Sequence, residues 1–390
     1  MHTAERYILR FLLCSVLPLL FSSLRADAQS SEYGYGWDRM WGSAAPLFVQ
    51  DTLEICFMGD VMMHSAQIDN ARRKDGSYDF STYFQHIEDR ISKADLAIAN
   101  MEFTLGGEPY SGYPCFSAPD ALADYCADCG FDLFLCANNH IFDTGLKGAE
   151  RTLERYRELE ISKGIKFTGL AGNETEYSRN FPLMIRRKGI SLALVNFTYG
   201  TNIGGSAKWP KVNYEADKRA ISEALSKAME ADCDYAVALP HWGQEYKLQH
   251  SDSQEKTAKW LISEGADMII GAHPHVVQDM QMIEGSPVVY SLGNAVSNMS
   301  AANTQIELMA TVRIARHGNG DLEMLPLEFT YLWCSRPGGY CSSYTVLPIK
   351  DYIGRRAEWQ GYWDYDKMVS SYRRVMEETG IKDGPTDENE

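Results

Sequence analysis

Glu54-Ile55-Cys56-Phe57-Met58-Gly59-Asp60-Val61-Met62-Met63-His64 runs an apolar stretch straight into a glycine, a carboxylate and an imidazole. A short apolar run ended by glycine reads as a strand buried on both faces, the kind found in parallel sheets. In open α/β sheets ligands bind beyond the carboxyl ends of the strands, so the residues just after such a run are where chemistry is expected. The pattern recurs. Leu96-Ala97-Ile98-Ala99 leads into Asn100-Met101-Glu102, and Leu133-Phe134-Leu135-Cys136 precedes Asn138-Asn139-His140 and Asp143. Val237-Ala238-Leu239-Pro240 runs into His241-Trp242-Gly243-Gln244-Glu245, and Met268-Ile269-Ile270 into Gly271-Ala272-His273-Pro274-His275.

Outward from these points the chain alternates strands with amphipathic helices. Strands are expected at Glu54–Met58, Asp95–Ala99, Phe131–Cys136, Ser191–Phe197, Tyr235–Leu239, Met268–Ile270 and Val288–Leu292. Helices are expected near 81–93, 119–129, 146–162, 214–231 and 253–264, where polar residues recur between apolar ones. This is the rhythm of a layered α/β domain. After Ser300 it changes: Gln305–Ala315 and Leu322–Tyr331 read as strands paired across His317-Gly318-Asn319-Gly320, with a last helix near 365–378.

Bulk properties narrow the function. The 390 residues are 45% hydrophobic, enough for a substantial core, and the formal net charge is −16. Such a surface offers nucleic acid or an anionic membrane no general attraction, so no nucleic-acid partner is expected. Arg6 and Arg10 precede the apolar run Phe11–Phe21, and Ala26-Asp27-Ala28 follows as an A-x-A site, the plan of a secretory signal peptide cleaved near Ala28. Cys14 follows Leu12-Leu13 rather than small residues, which argues against a lipoprotein. No other segment has the roughly 20 apolar residues of a membrane helix, so the mature chain is expected outside the cytoplasm, periplasmic or extracellular, without a transmembrane segment.

Beyond Cys14 stand Cys56, Cys115, Cys126, Cys129, Cys136, Cys233, Cys334 and Cys341. An even number in an oxidising compartment permits disulfides, and the turn-rich loop between Cys334 and Cys341 makes that pair a candidate bridge. Cys126 and Cys129 lie in an expected helix and read as core or a structural bridge, since no second Cys/His pair stands at zinc-ribbon spacing.

The strand-end residues form a metal-binding vocabulary. Divalent ions of the Mn, Zn, Fe or Mg kind take carboxylate and amide oxygens and imidazole nitrogens, and two adjacent ions need a bridging carboxylate. Five of the nine histidines, His64, His140, His241, His273 and His275, sit at strand ends. One histidine there would more often be structural; five together with two carboxylates and an asparagine point to one or two bound divalent ions.

The order and spacing of Gly59-Asp60-Val61-Met62, Asn100-Met101-Glu102, Asn138-Asn139-His140, Asp143, His241-Trp242-Gly243, Glu245-Tyr246, His273-Pro274-His275 and Tyr290-Ser291-Leu292-Gly293-Asn294 resemble the CapA family. These are capsule-synthesis proteins linked to poly-γ-glutamate, within the calcineurin-like metallophosphoesterase superfamily. The resemblance covers roughly Ile55 to Ser297. It implies a layered metallophosphoesterase-type sandwich of two mixed β-sheets flanked by helices. It also implies that Asp60 and His275, with His64, bind a first metal, and that Glu102 bridges to a second completed by Asn139, His241 and His273. His140 corresponds to the histidine that assists the substrate or protonates the leaving group, while Asp143 and Glu245 orient imidazoles, and Asn100, Asn138 and Asn294 support the ligands. Asp143 could instead cap the helix starting near Thr144, and Glu245 could pair with Lys247. Two departures stand out: the superfamily places a histidine two residues after the first aspartate, whereas His64 is four residues on, and its bridge is an aspartate where this chain has Glu102.

The resulting organisation is a signal peptide at 1–28, a linker or wrapping arm at 29–50, a CapA-like metallophosphoesterase domain at 51–300, C-terminal strands completing the sandwich at 301–350, and a helix with an acidic tail at 351–390. The expected function is metal-dependent hydrolysis of a phosphoester or an anionic envelope polymer, alongside capsule-synthesis machinery. A non-catalytic metal-binding assembly or export protein is the competing class, since fold alone does not establish chemistry. Trp242, Tyr246, Tyr199 and Trp209 are candidates to line a groove, although for any one of them the core is the commoner place. N-terminal sequencing of the exported protein should read from Gln29; an intact Met1 or a lipidated Cys14 would contradict the signal-peptide reading.

Overall fold

The computed structural model describes residues 49–204 and 207–386. The expected signal peptide, nearly all of the expected arm and the last four residues of the tail lie outside the described residues. The chain runs β1 (Val49–Val61), α1 (Ser65–Ala71), α2 (Glu88–Ser92), β2 (Leu96–Met101), α3 (Asp120–Asp128), β3 (Leu133–Leu135), α4 (Gly145–Lys163) and β4 (Lys166–Thr168). Then come β5 (Leu170–Ala171), α5 (Glu174–Asn180), β6 (Leu183–Arg187), β7 (Ile190–Thr198), β8 (Lys211–Val212), α6 (Lys218–Glu230) and β9 (Tyr235–His241). After α7 (Asp252–Ser263) follow β10 (Met268–Ile270), β11 (Met280–Ile283), β12 (Ser286–Val289), β13 (Ile306–His317), β14 (Leu322–Met324), β15 (Glu328–Ser335) and β16 (Thr345–Pro348). The short α8 (Ile349–Tyr352), the long α9 (Tyr362–Thr379) and β17 (Gly384–Pro385) end the described chain.

Two mixed sheets result. The first runs β16-β15-β13-β1-β2-β3-β4, parallel from β1 to β4 and antiparallel from β1 to β16. The second runs β11-β12-β10-β9-β7-β6, with parallel neighbours at its centre. Strand alternation sorts the core into layers. Leu53, Ile55 and Phe57 of β1 share one cluster with Leu192 and Leu194 of β7 and Val237 and Leu239 of β9, which fills the space between the sheets. The opposite faces, Cys56 and Met58 in the first sheet and Val195 and Ala238 in the second, pack with helix residues such as Leu122 and Leu153 or Ile221 and Leu261. The order is helix, sheet, sheet, helix, as expected. Each large aliphatic or aromatic side chain so buried stabilises the fold by about 1.5–3 kcal/mol.

Some elements differ from expectation. The helix expected at 81–93 is helical only over Glu88–Ser92. Phe80, Tyr83, Phe84 and Ile87 are buried as a helix would bury them, but in successive three-residue turns, Tyr83 N–H bonding Phe80 O and Ile87 N–H bonding Phe84 O. Period-three turns reproduce the apolar spacing of a helix. The strand expected at Leu322–Tyr331 divides at Pro326, which has no N–H to donate, and both halves pair with β13. Cys334 and Cys341 are free thiols: Cys334, paired in register with Val346, turns into the core, and Cys341 faces the carbonyl of Ser343. Cys126 and Cys129 are also free and buried, and burial pushes both thiols up, Cys129 to about 11, which suits packing rather than redox chemistry. Among the described residues no helix is long and apolar enough to cross a membrane.

One crossing fixes the end of β1. A Cβ on Gly59 would stand 2.0 Å from the Gly293 carbonyl oxygen, so only glycine lets the two backbones meet. Here Asp60 N–H donates to Gly293 O at 3.0 Å and Gly59 N–H to Glu307 Oε1 at 2.7 Å. Glu307 is fully buried, and burial pushes its carboxyl up to about 8, only partly opposed by the Gly59 hydrogen bond. A carboxyl whose folded value exceeds its unfolded one favours the fold most when protonated. The contribution is full at pH below about 4.5 and falls as pH rises towards about 8. Glu307→Gln keeps an acceptor for Gly59 and removes the titration. Its thermal midpoint relative to wild type should therefore climb between about pH 5 and about pH 8.5, and a difference independent of pH would contradict this.

Candidate metal centre

The five strand ends converge. β1 delivers Asp60, and β2 ends at Met101 with Glu102 next, while in the parallel register Asp60 stands opposite Asn100. Asn138, Asn139 and His140 follow β3, β9 ends on His241, and His273 and His275 follow β10. The first three points belong to one sheet and the last two to the other, so the centre spans the ends of both. His273 and His275 adopt φ of 100° and 57° on either side of Pro274, and Tyr246, whose N–H bonds Pro274 O at 2.8 Å, has φ 66°. Left-handed backbone at bulky residues is costly and gathers at functional sites.

Glu102 is the centre of the arrangement. It is completely buried and neither carboxylate oxygen has a hydrogen-bond partner. Its Oε1 lies 3.6 Å from His241 Nε2, 3.7 Å from His275 Nε2 and 3.8 Å from His140 Nε2. Asn139 Oδ1 sits 2.7 Å from His241 Nε2, His275 Nδ1 is 3.3 Å from Asp60 Oδ2, and the Asn100 amide donates to Asp60 Oδ1 at 2.7 Å. Three groups bring their ligand atoms within 4.8 Å of one another: Glu102, His241 and His273; Asp60, Glu102 and His275; and Glu245, His273 and His275.

The electrostatics are those of a donor set. Burial first, then Asp60, holds the Glu102 carboxyl well above the usual carboxylate range. Burial, then the neighbouring imidazoles, holds His241 and His273 well below the usual histidine range, the neutral form in which imidazole ligates. An unpaired buried carboxylate costs several kcal/mol unless a cation or donors compensate it. The buried Nδ1 of His273 is likewise without a partner. These orphaned oxygen and nitrogen atoms match the donors that divalent ions take, so the residues fit a metal.

The other expected site residues lie as follows. His140 Nδ1 meets Asp143 Oδ2 at 2.6 Å, and the same oxygen accepts Phe116 N–H at 2.7 Å. Asp143 therefore orients His140, and the helix beginning at Gly145 has no side-chain cap. Asn138 donates to Met101 O at 2.9 Å, and Asn294 Oδ1 lies 3.0 Å from His275 Nδ1. Glu245 is exposed beside His273 and His275, with no ion pair to Lys247 among the described residues. His64 lies outside the three groups: its Nδ1 is 3.1 Å from Gln67 Oε1 and receives Asn298 N–H at 3.3 Å, and burial pushes it down to about 4. Tyr199, with its ring 4.5 Å from that of His273, and Tyr246 are exposed at the rim. Trp242 is core, its Nε1 donating to Tyr290 O, and Trp209 packs on Tyr177 instead.

Sequence reasoning missed Phe116, whose ring lies 4.6 Å from that of His140, and Glu307 behind Gly59. Phe116 follows Cys115 in a stretch with no periodicity. The sign of Glu307 was a lone carboxylate between Ile306 and Leu308.

The family "Bacterial capsule synthesis protein PGA_cap" matches residues 54–299. The chain is 26% identical over 306 residues to a capsule biosynthesis protein CapA of Bacillus anthracis, covering 75% of this chain and 72% of that one. It is 25% identical over 305 residues to the PGA biosynthesis protein CapA of Bacillus subtilis, covering 74% and 76%. Among solved structures, a calcineurin-like phosphoesterase YfkN of Bacillus subtilis aligns at TM-score 0.42 and 13% identity, over 85% of this chain and 99% of that one. With the family match spanning more than half of its length and every strand end of the centre inside the matched region, the chain belongs to the bacterial capsule synthesis protein family PGA_cap.

Proposed function

We propose that this capsule synthesis protein is an exported, metal-dependent hydrolase of the phosphoesterase type, acting on an anionic envelope polymer of the poly-γ-glutamate kind or on a phosphoester within the capsule-synthesis machinery. The observation that carries the reading is Glu102, a buried carboxylate without hydrogen bonds, facing three imidazoles at 3.6–3.8 Å. Asp60, Glu102, Asn139, His241, His273 and His275 would hold one or two divalent ions. When bound, such ions supply Lewis-acid polarisation and neutralise charge that develops in the reaction.

The chain's own residues do the rest. Asp143 takes His140 Nδ1 at 2.6 Å, which leaves Nε2 turned towards Glu102, where it would hold or pass a proton at the leaving atom. The Asn202 amide, 3.4 Å from the His140 ring, and the edge of Phe116 restrict that ring further. Asn100 and Asn294 fix Asp60 and His275, the role that outer hydrogen bonds play at metal sites. Exposed Tyr199 and Tyr246 offer flat apolar faces with polar tips to a substrate chain entering the site. The signal-peptide pattern of Arg6, Arg10, Phe11–Phe21 and Ala26-Asp27-Ala28 supports a periplasmic or extracellular place of action.

Metal content and turnover, measured together on purified protein across a panel of phosphoesters and glutamyl peptides, separate these roles. His140→Ala should keep its metal and lose about 10²–10⁴-fold in rate. Asp60→Ala and His273→Ala should lose metal and rate together. If His140→Ala lost metal as fully as His273→Ala, His140 would be a ligand. If wild type bound metal yet turned over nothing on the panel, the reading would pass to a metal-binding assembly or export protein.

A further inference from the structure

Two residues of the candidate centre meet across the gap between the sheets. Asn139 follows β3 of the first sheet and His241 ends β9 of the second, yet Asn139 Oδ1 and His241 Nε2 stand 2.7 Å apart. Ladder hydrogen bonds run within each sheet and do not hold the end of one against the end of the other. Packing between the sheets sets their spacing, but a slide of either strand end would separate the pair. A directional bond across the gap is what fixes it, and Asn196 supplies one.

Asn196 is a buried residue of β7, paired in parallel register with Leu239 of β9. Its Nδ2 donates to Leu239 O at 2.8 Å, two residues before His241. Its Oδ1 accepts Ala137 N–H at 2.9 Å and Cys136 N–H at 3.2 Å, the latter shared with Thr168 O, just ahead of Asn138 and Asn139. A side-chain amide has a donor and an acceptor on one plane, so a single group ties the end of β3 to the end of β9. Gly169, at φ 97°, makes the room: a Cβ there would stand 2.1 Å from Asn196 Oδ1 and 2.4 Å from Ala137 N. The chain after Asn196 repeats the tie. Tyr199 N–H donates to His241 O at 2.9 Å and Asn202 N–H to Asn139 O at 2.8 Å, while Asn213 Nδ2 holds Asn196 O at 2.9 Å. The side-chain bonds of Asn196 thus end on main chain two or three residues from Asn139 or His241.

We propose that Asn196 is a positioning residue of the centre: by joining Ala137 N–H to Leu239 O it sets Asn139 against His241, and so sets the affinity for the ion those two would share. It acts through Asn139 and His241 and holds no ion itself. The proposal rests on the metal reading above for the ion, and on the hydrogen bonds for the tie.

Calorimetric titration of the metal-free full chain with Mn²⁺ tests it, with the thermal midpoint of each metal-free variant measured alongside. Asn196→Ala should weaken Mn²⁺ binding by about tenfold or more, the range for partners that orient metal ligands. Asn196→Ser, whose one short hydroxyl cannot span both strand ends, should lose affinity in the same direction, and it decides the matter where Asn196→Ala does not fold. Tyr331→Phe removes a different buried hydrogen bond, from Tyr331 to Ile381 O, and should keep wild-type affinity. Because Asn196 acts through the Asn139–His241 pair, Asn139→Ala/Asn196→Ala should lose clearly less than the product of the two single losses. A lowered thermal midpoint with unchanged Mn²⁺ affinity in Asn196→Ser makes Asn196 a structural residue and overturns the proposal. Losses that multiply fully in the double variant overturn it as well. Absence of Mn²⁺ binding in wild type overturns the metal reading and the positioning role together, whereas binding that the Asn196 variants retain in full overturns the positioning role alone.

Discussion

A carboxylate buried among imidazoles with no hydrogen bond to either oxygen is the constraint around which the rest of the structure is arranged. Glu102 occupies that position, and a charge so placed is expensive unless a cation compensates it. Burial drives its proton affinity up and drives those of His241 and His273 down, so in the bare chain each group leans towards its neutral form. A divalent ion held there would offset the penalty on Glu102 and would take the neutral imidazoles as they stand. The cost of assembling these residues is thus what an affinity for metal would draw on.

The two-sheet architecture is what brings the donors together. Parallel strands end on one side, and placing two such sheets face to face sets Asp60, Glu102 and Asn139 from one opposite His241, His273 and His275 from the other. The glycine crossing of Gly59 with Gly293 lets β1 approach the segment that carries Asn294, and Asn294 in turn holds His275. Glu307 closes this crossing from β13 with a single hydrogen bond to Gly59. A side chain at position 59 would push apart the very backbones that set Asp60 against His275, so the effect of that one glycine reaches the candidate metal centre.

Much of this was legible because central parallel strands are buried on both faces. They appear in sequence as unbroken apolar runs, and the polar residues that follow them stand out. Asp60, Glu102, Asn139, His241, His273 and His275 were found in that way. At His64 the resemblance implied a further ligand, but as the residue opening α1 its Nδ1 engages Gln67 and the Asn298 amide. Glu307 escaped because one polar residue between Ile306 and Leu308 has the pattern of an ordinary half-exposed strand, and only the tertiary crossing buries it. The turns around Tyr83 imitated a helix by spacing alone. The Cys334–Cys341 pair looked natural from its turn-rich loop, yet strand pairing with Val346 directs Cys334 into the core.

Membership of the capsule synthesis family gives the centre a biological setting, while its chemistry rests on whether an ion sits against Glu102. Crystals of the purified protein grown with manganese, with diffraction recorded for anomalous differences, test this directly. A peak at about 2.0–2.3 Å from Glu102 and from imidazole nitrogens of His241, His273 or His275 is the predicted result. A peak only at distant surface carboxylates, or none with Glu102 well ordered, would contradict it.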